Sequence, residues 1–489
     1  AGMRWALLAA LVPMAAAQSS AMSLKGWGPV DLLRTCITDL DNFTVKAWDK
    51  KGITVEDTTL EYCPNKVPAI WPNTLAPMRS LRVFRAWHVD WKRNPKVKEL
   101  AEVSTKEDAW RNLKRFAINN GAKILLGTAV TCDVAEGVDN DAQDWEYVKQ
   151  FALELGPEHI FGLAVGNEID LLYTKKKDDH SVNDLCIRGI WDQGGYFEKF
   201  KNRTKEFDLL GSGFRDIPVT AVFSAAALYP DESPYFQDVP GQALVNTFLK
   251  LAVKEYKKRF AFTFNHYTYF DPNLGFDEGS GDKCTKSIEA AACWSETCIT
   301  PKMMASARRK MRNLTGSNDF TYWVGETGWS WPQPKTLGTK MSACREWSSE
   351  STFKRFYRGF LEWDLKIPGE RAPDHIFYFS IRTSVNFGFA EFFGLIDQCA
   401  NETCKLNSTN YTAPKTEIQK QQIILSFCRK IGFAVIGSVI LVSFLGAYVY
   451  VSLLPSTWKT SGSRTPQKFS DREISGSPEE TSSSGEETD

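Results

Sequence analysis

The chain contains the stretch Tyr322-Trp323-Val324-Gly325-Glu326-Thr327-Gly328-Trp329, in which an aromatic and β-branched run ends on a carboxylate between two glycines. A continuous apolar run of this kind is typical of a buried parallel strand. Glycines on both sides of Glu326 allow backbone or a ligand to approach closely. The stretch therefore predicts that Glu326 lies at the C-terminal end of a buried strand, next to aromatic surface.

A second stretch has the same form. Residues 160–170 begin with an apolar run, Ile-Phe-Gly-Leu-Ala-Val, and continue into Gly166-Asn167-Glu168. Either glutamate alone is explained equally well as a solvated residue at a strand end. Two strand-end glutamates, each shortly after a glycine, instead indicate a site that works with a pair of carboxylates. We therefore expect Glu168 and Glu326 to face one another.

The spacing of apolar runs predicts the fold class. Strand-like runs begin near residues 80, 123, 160, 218, 260, 320 and 375, with amphipathic helical segments between them. Alternating strands and helices imply a parallel sheet. One further strand, at 44–48 or 53–62, brings the count to eight and predicts a (β/α)8 barrel over residues 18–412. The two glutamates then belong to the fourth and seventh strands, on the face that carries active sites in such barrels. An open doubly wound sheet is the alternative, although no Gly-x-Gly-x-x-Gly turn supports it.

Local signals predict some boundaries between these elements. Ser104-x-x-Glu107 matches a capping box that starts a helix, and Gly121 is a typical helix stop. The spans 171–208 and 271–300 are longer than a βα unit needs, so we expect loops over the active-site face. Trp191 and Tyr196 are candidate sugar-stacking platforms in the first span. Plain solvated surface is the more common role of a charged loop.

Both ends of the chain carry apolar segments with a predicted role in export. Residues 3–17 match a signal peptide, with a basic start, an apolar middle and small residues before the cleavage point. The uncharged apolar run 431–454 is long enough to span a bilayer as one helix, after a juxtamembrane stalk at 413–430. The polar tail 455–489 is expected to be disordered. Flanking basic residues are balanced, so the signal peptide sets the orientation: a single-pass type I membrane protein with its barrel extracellular or lumenal and its tail cytosolic.

The cysteines agree with an exported chain. Of the 11 cysteines, only Cys428 lies beside the apolar span. The ten cysteines that precede Cys428 are an even number, which predicts disulfides in an exported domain. Cys399 and Cys404 are a plausible local pair. Cys293-x4-Cys298 could form half of a zinc site, but no second close pair supports one, so we favour oxidation. Sequons at Asn42, Asn202, Asn313, Asn401, Asn407 and Asn410 suggest glycosylation.

A facing pair of carboxylates suits glycoside hydrolysis. One carboxyl group must be protonated to release the leaving oxygen, and the other must be ionised. Aromatic residues make up 13% of the chain, which suits binding of flat sugar faces. Asn167 is placed to donate to a sugar hydroxyl, and a tyrosine of 264–270 to bond Glu326, although core packing explains these tyrosines equally well. The balanced charge gives no sign of nucleic-acid binding, and no motif suggests a metal or another cofactor.

The glutamate motifs resemble those of a known enzyme family. Val165-Gly166-Asn167-Glu168 and Gly325-Glu326-Thr327-Gly328-Trp329 are similar to the acid/base and nucleophile signatures of glycoside hydrolase family 17, the β-1,3-glucanases. Weaker similarities lie in Arg82-Val83-Phe84, in Asn265–Phe270 (with Thr268 where the family has proline) and in Glu391–Asp397. The resemblance covers residues 80–400. The family's first-strand Tyr-Gly is not visible, and its acidic, Trp-bearing eighth strand is replaced by residues 380–386, which bears on substrate or acceptor preference.

This resemblance implies specific roles. Glu168 would be the acid/base and Glu326 the nucleophile of a retaining enzyme on β-1,3-glucan, with no metal or other cofactor. The substrate contacts would come from Asn167, Arg82, Tyr267, Tyr269 and Trp329. A β-1,3-glucanosyltransferase would use the same residues, with a sugar rather than water as acceptor. A non-catalytic glycan-binding receptor on a barrel scaffold is the alternative from another functional class.

Overall fold

The computed structural model of the chain describes residues 36, 45–74, 76–87, 104–132, 134–135, 138–172, 184–229, 231–237, 244–270, 281–331, 344–384, 392–399 and 403–406. The predicted signal peptide (3–17), stalk (413–430), membrane span (431–454) and tail (455–489) lie outside these residues. Within the described part, every helix is too short or too polar to cross a membrane.

Eight parallel strands in the described residues close into a barrel. In chain order they are β1 (Lys51–Val55), β2 (Ser80–Val83), β3 (Lys123–Thr128), β4 (Ile160–Asn167), β5 (Val219–Phe223), β6 (Phe262–Asn265), β7 (Tyr322–Thr327) and β8 (His375–Tyr378). Each strand pairs with the next, and β1 also pairs with β8, Lys51 lying opposite Ile376. The predicted (β/α)8 barrel is thereby confirmed for this part of the chain, and the open doubly wound sheet is wrong.

Helices surround the barrel on the outside. They are α1 (Asp57–Tyr62), α2 (Lys106–Asn120), α3 (Asn140–Leu155), α4 (Asp184–Trp191), α5 (Gly195–Asp208), α6 (Val245–Tyr256), α7 (Gly281–Ala291), α8 (Ile299–Thr315) and α9 (Glu350–Glu362). Short 3-10 turns occupy Trp48–Lys50, Pro64–Lys66, Pro157–His159, Ser212–Phe214, Ala225–Leu228, Lys257–Arg259, Thr268–Phe270 and Arg345–Ser348. The antiparallel pair Val134–Ala135 and Val138–Asp139 forms a small ribbon beyond β3.

Several predicted boundaries differ from the structure. The segment 53–62 is divided, because Glu56 ends β1 and caps α1 by accepting from the backbone of Thr59. The cap of α2 is Thr105 rather than Ser104, since the Thr105 hydroxyl accepts from the Asp108 backbone nitrogen. Gly121 ends this helix in a left-handed conformation, as expected. The spans after β4 and β6 contain helices α4, α5 and α7 instead of loops alone.

The barrel interior is filled by apolar side chains that point inward from its strands. They are Leu125, Ala164, Val222, Ala261, Trp323 and Phe377, packed against Phe161. Trp323 from β7 reaches across to β4, where a Cβ at Gly162 would lie 2.9 Å from its ring. This packed layer supports the polar residues at the C-terminal ends of the strands from below. The site therefore lies on a filled barrel and not over an open channel.

In the part of the chain that the structure describes, five disulfides join the ten cysteines from Cys36 to Cys404. The pairs are Cys36–Cys404, Cys63–Cys399, Cys132–Cys186, Cys284–Cys344 and Cys293–Cys298. Oxidation of Cys293 with Cys298 is confirmed. The suggested local pair of Cys399 with Cys404 is wrong, since both bond to the N-terminal part of the chain. Closure of the barrel places β1 next to β8 and so brings the distant cysteines together.

Candidate active site

Glu168 follows β4 at the C-terminal face of the barrel, in an irregular segment. The pairing of β4 with β5 shifts register between Ala164 and Asn167, and Gly166 has a positive φ of 78°. Glu168 itself has φ 50°, a left-handed conformation that a non-glycine residue adopts at a cost of about 1–3 kcal/mol. Its backbone nitrogen donates to Val222 of β5 at 2.9 Å. The local backbone therefore turns the Glu168 carboxyl group over the barrel mouth.

Glu326 lies on β7 and is buried. Here too the register shifts, between the pairs Phe264–Val324 and Asn265–Glu326. Gly325 makes the shift sterically feasible, because a Cβ on it would lie 2.6 Å from Asn265 Oδ1 and 2.9 Å from Arg82 Nη1. Gly328 is similarly constrained, with a Cβ there 2.3 Å from the Phe379 carbonyl oxygen. Both glycines are thus needed for close approach, as the sequence indicated.

The Asn265 amide, at the end of β6, joins the two carboxyl groups. Its Nδ2 lies 2.9 Å from Glu168 Oε1 and 2.9 Å from Glu326 Oε1. The two carboxyl oxygens are therefore no more than 5.8 Å apart, twice 2.9 Å. Sequence reasoning missed this role of Asn265. The available signal was its place at a strand end within a motif that already carried two tyrosines.

Arg82, on β2, is the cation of the site. Its Nη1 donates to Glu326 Oε1 at 3.0 Å and to the Gly325 carbonyl at 2.7 Å, while Nη2 donates to Asn167 Oδ1 at 2.7 Å. The pair with Glu326 is almost fully buried, and the guanidinium also lies over the Phe84 ring. Arg82 was expected to contact substrate. Its burial instead makes it a residue that orients and stabilises the Glu326 carboxylate.

Tyr267, half-buried just beyond β6, completes the set around Glu326. Its hydroxyl donates to Glu326 Oε2 at 2.6 Å, which is the tyrosine contact expected from the sequence. Glu326 thus receives hydrogen bonds from Arg82, Asn265 and Tyr267 together. Together these three donors fix the orientation of the Glu326 carboxyl group.

Glu168 has the opposite surroundings. Burial, followed by the neighbouring Glu326 carboxylate, raises the pKa of Glu168 to about 8, although the Asn265 hydrogen bond and the Arg82 charge lower it. Asp170, two residues further on, adds to the rise in this pKa. The raised pKa favours the protonated form of Glu168 at neutral pH, whereas Glu326 accepts hydrogen bonds from one cationic and two neutral donors. Carboxyl groups whose surroundings differ in this way divide the roles of acid and nucleophile.

The other expected contacts divide into two groups. Asn167 is exposed, and its amide oxygen accepts from Arg82 and Asn265, so its amide nitrogen is oriented away from them. Tyr269 and Trp329 do not line the site, since both are fully buried. The Tyr269 hydroxyl bonds Ser348, and Trp329 Nε1 donates to the Trp347 carbonyl. An aromatic residue near a strand end can face either the site or the hydrophobic core, and the sequence pattern does not distinguish the two. Tyr269 and Trp329 both pack in the core.

The candidate platforms in the span after β4 are also core residues. Trp191 and Tyr196 are buried and pack edge to face. The Tyr196 hydroxyl donates to the Val165 carbonyl at 2.7 Å, so it braces β4 from behind. An aromatic wall that the sequence did not single out stands beside Tyr267 instead. It consists of Phe270, which is 41% exposed, and the buried Phe393 and Phe379.

Among the residues that the structure describes, His, Cys, Asp and Glu side chains form no group able to hold a metal ion. The buried histidines have other partners: His266 bonds the Tyr322 hydroxyl at 2.5 Å and His375 bonds Ser80 at 2.7 Å. The functional groups that meet at the site are two carboxyl groups, an amide, a guanidinium and a phenol.

Comparison with known proteins gives matches in structure only. No protein-family model matches the sequence, and no curated protein matches it either. The fold is similar to that of CJP38, a β-1,3-glucanase and allergen of Cryptomeria japonica pollen, with 14% identity, coverage of 74% of this chain and 100% of that chain, and a TM-score of 0.47. A Rhizomucor miehei β-1,3-glucanosyltransferase mutant in complex with laminaritriose matches at 14% identity, 73% and 96% coverage and a TM-score of 0.37.

An endo-laminarinase from Formosa Hel1_33_131 matches at 16% identity, 72% coverage of this chain and 86% of that chain, and a TM-score of 0.42. The descriptions of these three structures name a β-1,3-glucanase, a β-1,3-glucanosyltransferase and an endo-laminarinase. The likeness concerns the fold alone.

Proposed function

We propose that the chain is a membrane-anchored retaining glycoside hydrolase that cleaves β-1,3-glucan by double displacement. The observation that carries the proposal is the bridge of Asn265 between Glu168 and Glu326, which limits their nearest oxygens to a separation of 5.8 Å, twice 2.9 Å. Carboxyl groups about 5–5.5 Å apart belong to retaining enzymes, while inverting enzymes need roughly 6.5–9.5 Å to admit a water. The separation therefore supports covalent catalysis.

The first step follows from the unequal surroundings of the two carboxyl groups. Glu326 attacks the anomeric carbon, and the bond from that carbon to the leaving oxygen breaks. The proton of Glu168 moves to the leaving oxygen, so the shortened glucan departs as a neutral alcohol. Arg82, Asn265 and Tyr267 hold Glu326 for attack from one side. A glycosyl ester on Glu326 and an ionised Glu168 remain.

The second step uses the same residues in reverse. Ionised Glu168 removes a proton from water, whose oxygen attacks the anomeric carbon and breaks the ester to Glu326. Glu168 regains its proton, Glu326 regains its charge, and two inversions give net retention. When the ester breaks, the negative charge returns to Glu326, and this charge favours the neutral form of Glu168. The site is then ready for another glucan.

The substrate and the location rest on the sequence. β-1,3-Glucan follows from the resemblance of the two glutamate motifs to family 17, and the type I membrane topology from residues 3–17 and 431–454. Five disulfides in the described residues support an oxidising compartment for the barrel. We accordingly propose that the barrel faces the cell exterior or the lumen of the secretory pathway. Protease protection of tagged termini in intact cells tests this orientation.

Product analysis tests the proposed reaction. The full-length protein is incubated with β-1,3-, β-1,4- and mixed-linkage glucans, beside E326Q and the control E154Q, which alters an exposed glutamate on α3. We expect shorter β-1,3 products from the parent and E154Q, and none from folded E326Q. Chain-lengthened products would indicate the glucanosyltransferase. Binding without any products would support the non-catalytic receptor, and continued cleavage by E326Q would contradict the assigned nucleophile.

A further inference from the structure

A buried clamp lies directly behind Glu168. Asp170 and Ser224 are both almost fully buried, and both carboxyl oxygens of Asp170 bind Ser224. The Ser224 backbone nitrogen donates to Oδ1 at 3.0 Å, and the Ser224 hydroxyl donates to Oδ2 at 2.5 Å. The same hydroxyl accepts from the Ala226 backbone nitrogen, so its proton is committed to Asp170. Burial raises the pKa of Asp170, and the two hydrogen bonds from Ser224 oppose that rise by favouring its charged form.

The clamp joins the chain after β4 to the end of β5. Ser224 directly follows β5 and caps the turn Ala225–Leu228. Glu168 is already tied to β5 through its own nitrogen and the Val222 carbonyl, and its carbonyl accepts from the Leu171 nitrogen at 2.9 Å. The segment that carries the strained Glu168 is thus attached to β5 on both sides. Left-handed φ values at non-glycine residues persist only when the surroundings hold them.

We propose that Asp170 is a positioning residue that acts through Glu168, holding it in its left-handed conformation and keeping an acidic charge beside it. The proposal rests on the proposed function, because it assigns a purpose to the geometry of the acid/base. Asp170 touches neither Glu326 nor Asn265 in the described contacts, so it is not itself a catalytic residue. Its sequence signal is an acidic residue two positions beyond a strand-end glutamate.

The charges around Glu168 determine what the loss of Asp170 would do. Glu326 from β7 and Asp170 raise the pKa of Glu168, Arg82 from β2 lowers it, and the neutral Asn265 also lowers it. Asp170 in turn faces Tyr196 of α5, whose pKa is raised by burial, so that the phenol is neutral. Removing the Asp170 charge therefore favours ionised Glu168 and weakens it as an acid above neutral pH.

Three full-length variants separate the effect of the Asp170 charge from the effect of the clamp bonds. D170N removes the carboxyl group and keeps the shape, and S224A removes one of the two clamp bonds but keeps the Asp170 carboxyl group. D141N is the matched control, because Asp141 holds Thr131 in the same way, accepting from its nitrogen and its hydroxyl at 2.8 Å each. Activity is measured against β-1,3-glucan and against an aryl β-glucoside with a good leaving group, which needs little help from an acid.

For D170N we expect about a tenfold loss of kcat on glucan and less than about a threefold loss on the aryl glucoside. The alkaline limb of its pH–rate profile on glucan should move to lower pH by roughly half a unit or more. S224A should lower kcat on glucan and should move this limb less than D170N does. D141N should lower only the Tm. Equal losses on both substrates, an unmoved limb in D170N, or the same changes in D141N would overturn the proposal.

A titration that needs no activity separates this inference from the proposed function. The Glu168 carboxyl signal is followed by NMR in carboxyl-labelled full-length protein and assigned by its absence in E168Q. We expect a lower pKa of Glu168 in D170N than in the parent, even if neither cleaves glucan. An unchanged Glu168 titration would contradict the role of Asp170, whereas a lowered one in an inactive protein would contradict only the proposed reaction.

Discussion

At the scale of single residues, two nearby carboxyl groups have different surroundings because their hydrogen-bond partners differ. Glu326 accepts hydrogen bonds from a guanidinium, an amide and a phenol. Glu168 accepts a hydrogen bond from the same amide and lies near the Glu326 carboxylate. The sequence predicted the pair, because each glutamate ends an apolar strand behind a glycine. It did not predict Asn265 as their bridge, since that requires the ends of β4, β6 and β7 to meet.

The bridging amide of Asn265 should contribute measurably to the rate of cleavage. N265A removes the donor to Glu168 and Glu326, and we expect a roughly 10²-fold loss of kcat, typical for loss of one preorganised donor. N265D places a third carboxylate between two others, so its loss should be larger. Steady-state kinetics on β-1,3-glucan provide the comparison. Activity of N265D equal to or above that of N265A would contradict the bridging role.

The pH dependence follows from Glu168. The proposed reaction requires the protonated form of Glu168, so kcat/KM should fall as pH rises through about 8, the value to which the pKa of Glu168 is raised. The same rise means that the folded protein binds this proton more tightly than the unfolded chain. Proton binding at Glu168 therefore contributes to the free energy of unfolding. This contribution is complete below the unfolded pKa near 4.5 and is lost as pH rises through about 8.

E168Q should therefore raise the Tm relative to the parent more at pH 9 than at pH 5, while it lowers glucan cleavage by about 10²–10⁴-fold. Aryl glucosides with good leaving groups should be affected less in their first step. Thermal melts at both pH values and kinetics on both substrates are sufficient to test this. A Tm difference that does not change with pH would argue against the raised pKa.

At the scale of strands and helices, the sequence indicated the parallel alternation and the positions of the two glutamates. It failed at β1, because Lys51 is a poor signal for a buried strand. The structure explains the burial: Lys51 Nζ donates to the carbonyl oxygens of Lys46, Leu361 and Trp363. Two of these partners lie at the end of α9 and beyond it, some 310 residues away, so no local pattern could reveal them.

The irregular end of β7 makes a specific prediction. G325A would place a Cβ 2.6 Å from Asn265 Oδ1 and 2.9 Å from Arg82 Nη1, forcing the bridge and the cation away from Glu326. We expect at least a 10-fold to 100-fold loss of kcat, roughly the cost of a misplaced donor, in a protein that still folds. G189A in α4 is the control, since its Cβ would meet nothing within 4 Å. Comparable losses in both variants would argue against this account.

At the scale of the whole molecule, closure of the barrel determines the covalent framework. Cys36 and Cys404 are separated by 368 positions, and Cys63 and Cys399 by 336, yet barrel closure makes the regions before β2 and after β8 neighbours. The sequence could count the cysteines but not pair them, because pairing depends on this closure. Segment 392–399, which contributes Phe393 to the aromatic wall, is fixed by the second of these bridges.

The two long-range bridges are nested, which predicts that their contributions do not add. With either pair replaced by serine, the other still closes most of the loop, so each removal should cost about 3 kcal/mol. Removing both pairs opens the full loop and should cost more than twice that amount. Denaturant unfolding of the full-length protein measures these differences. A combined loss equal to the sum of the two single losses would contradict the nested arrangement.

The most direct test of the central claim is a covalent label. The full-length protein is treated with an activated 2-deoxy-2-fluoro-β-glucoside, which slows breakdown of a glycosyl ester more than its formation, and the modified peptide is identified by mass spectrometry. We predict one glycosyl group on Glu326, absent in E326Q and released by a β-glucan acceptor. A label on Glu168, or release of the α-anomer from glucan with no labelled carboxylate, would contradict the account.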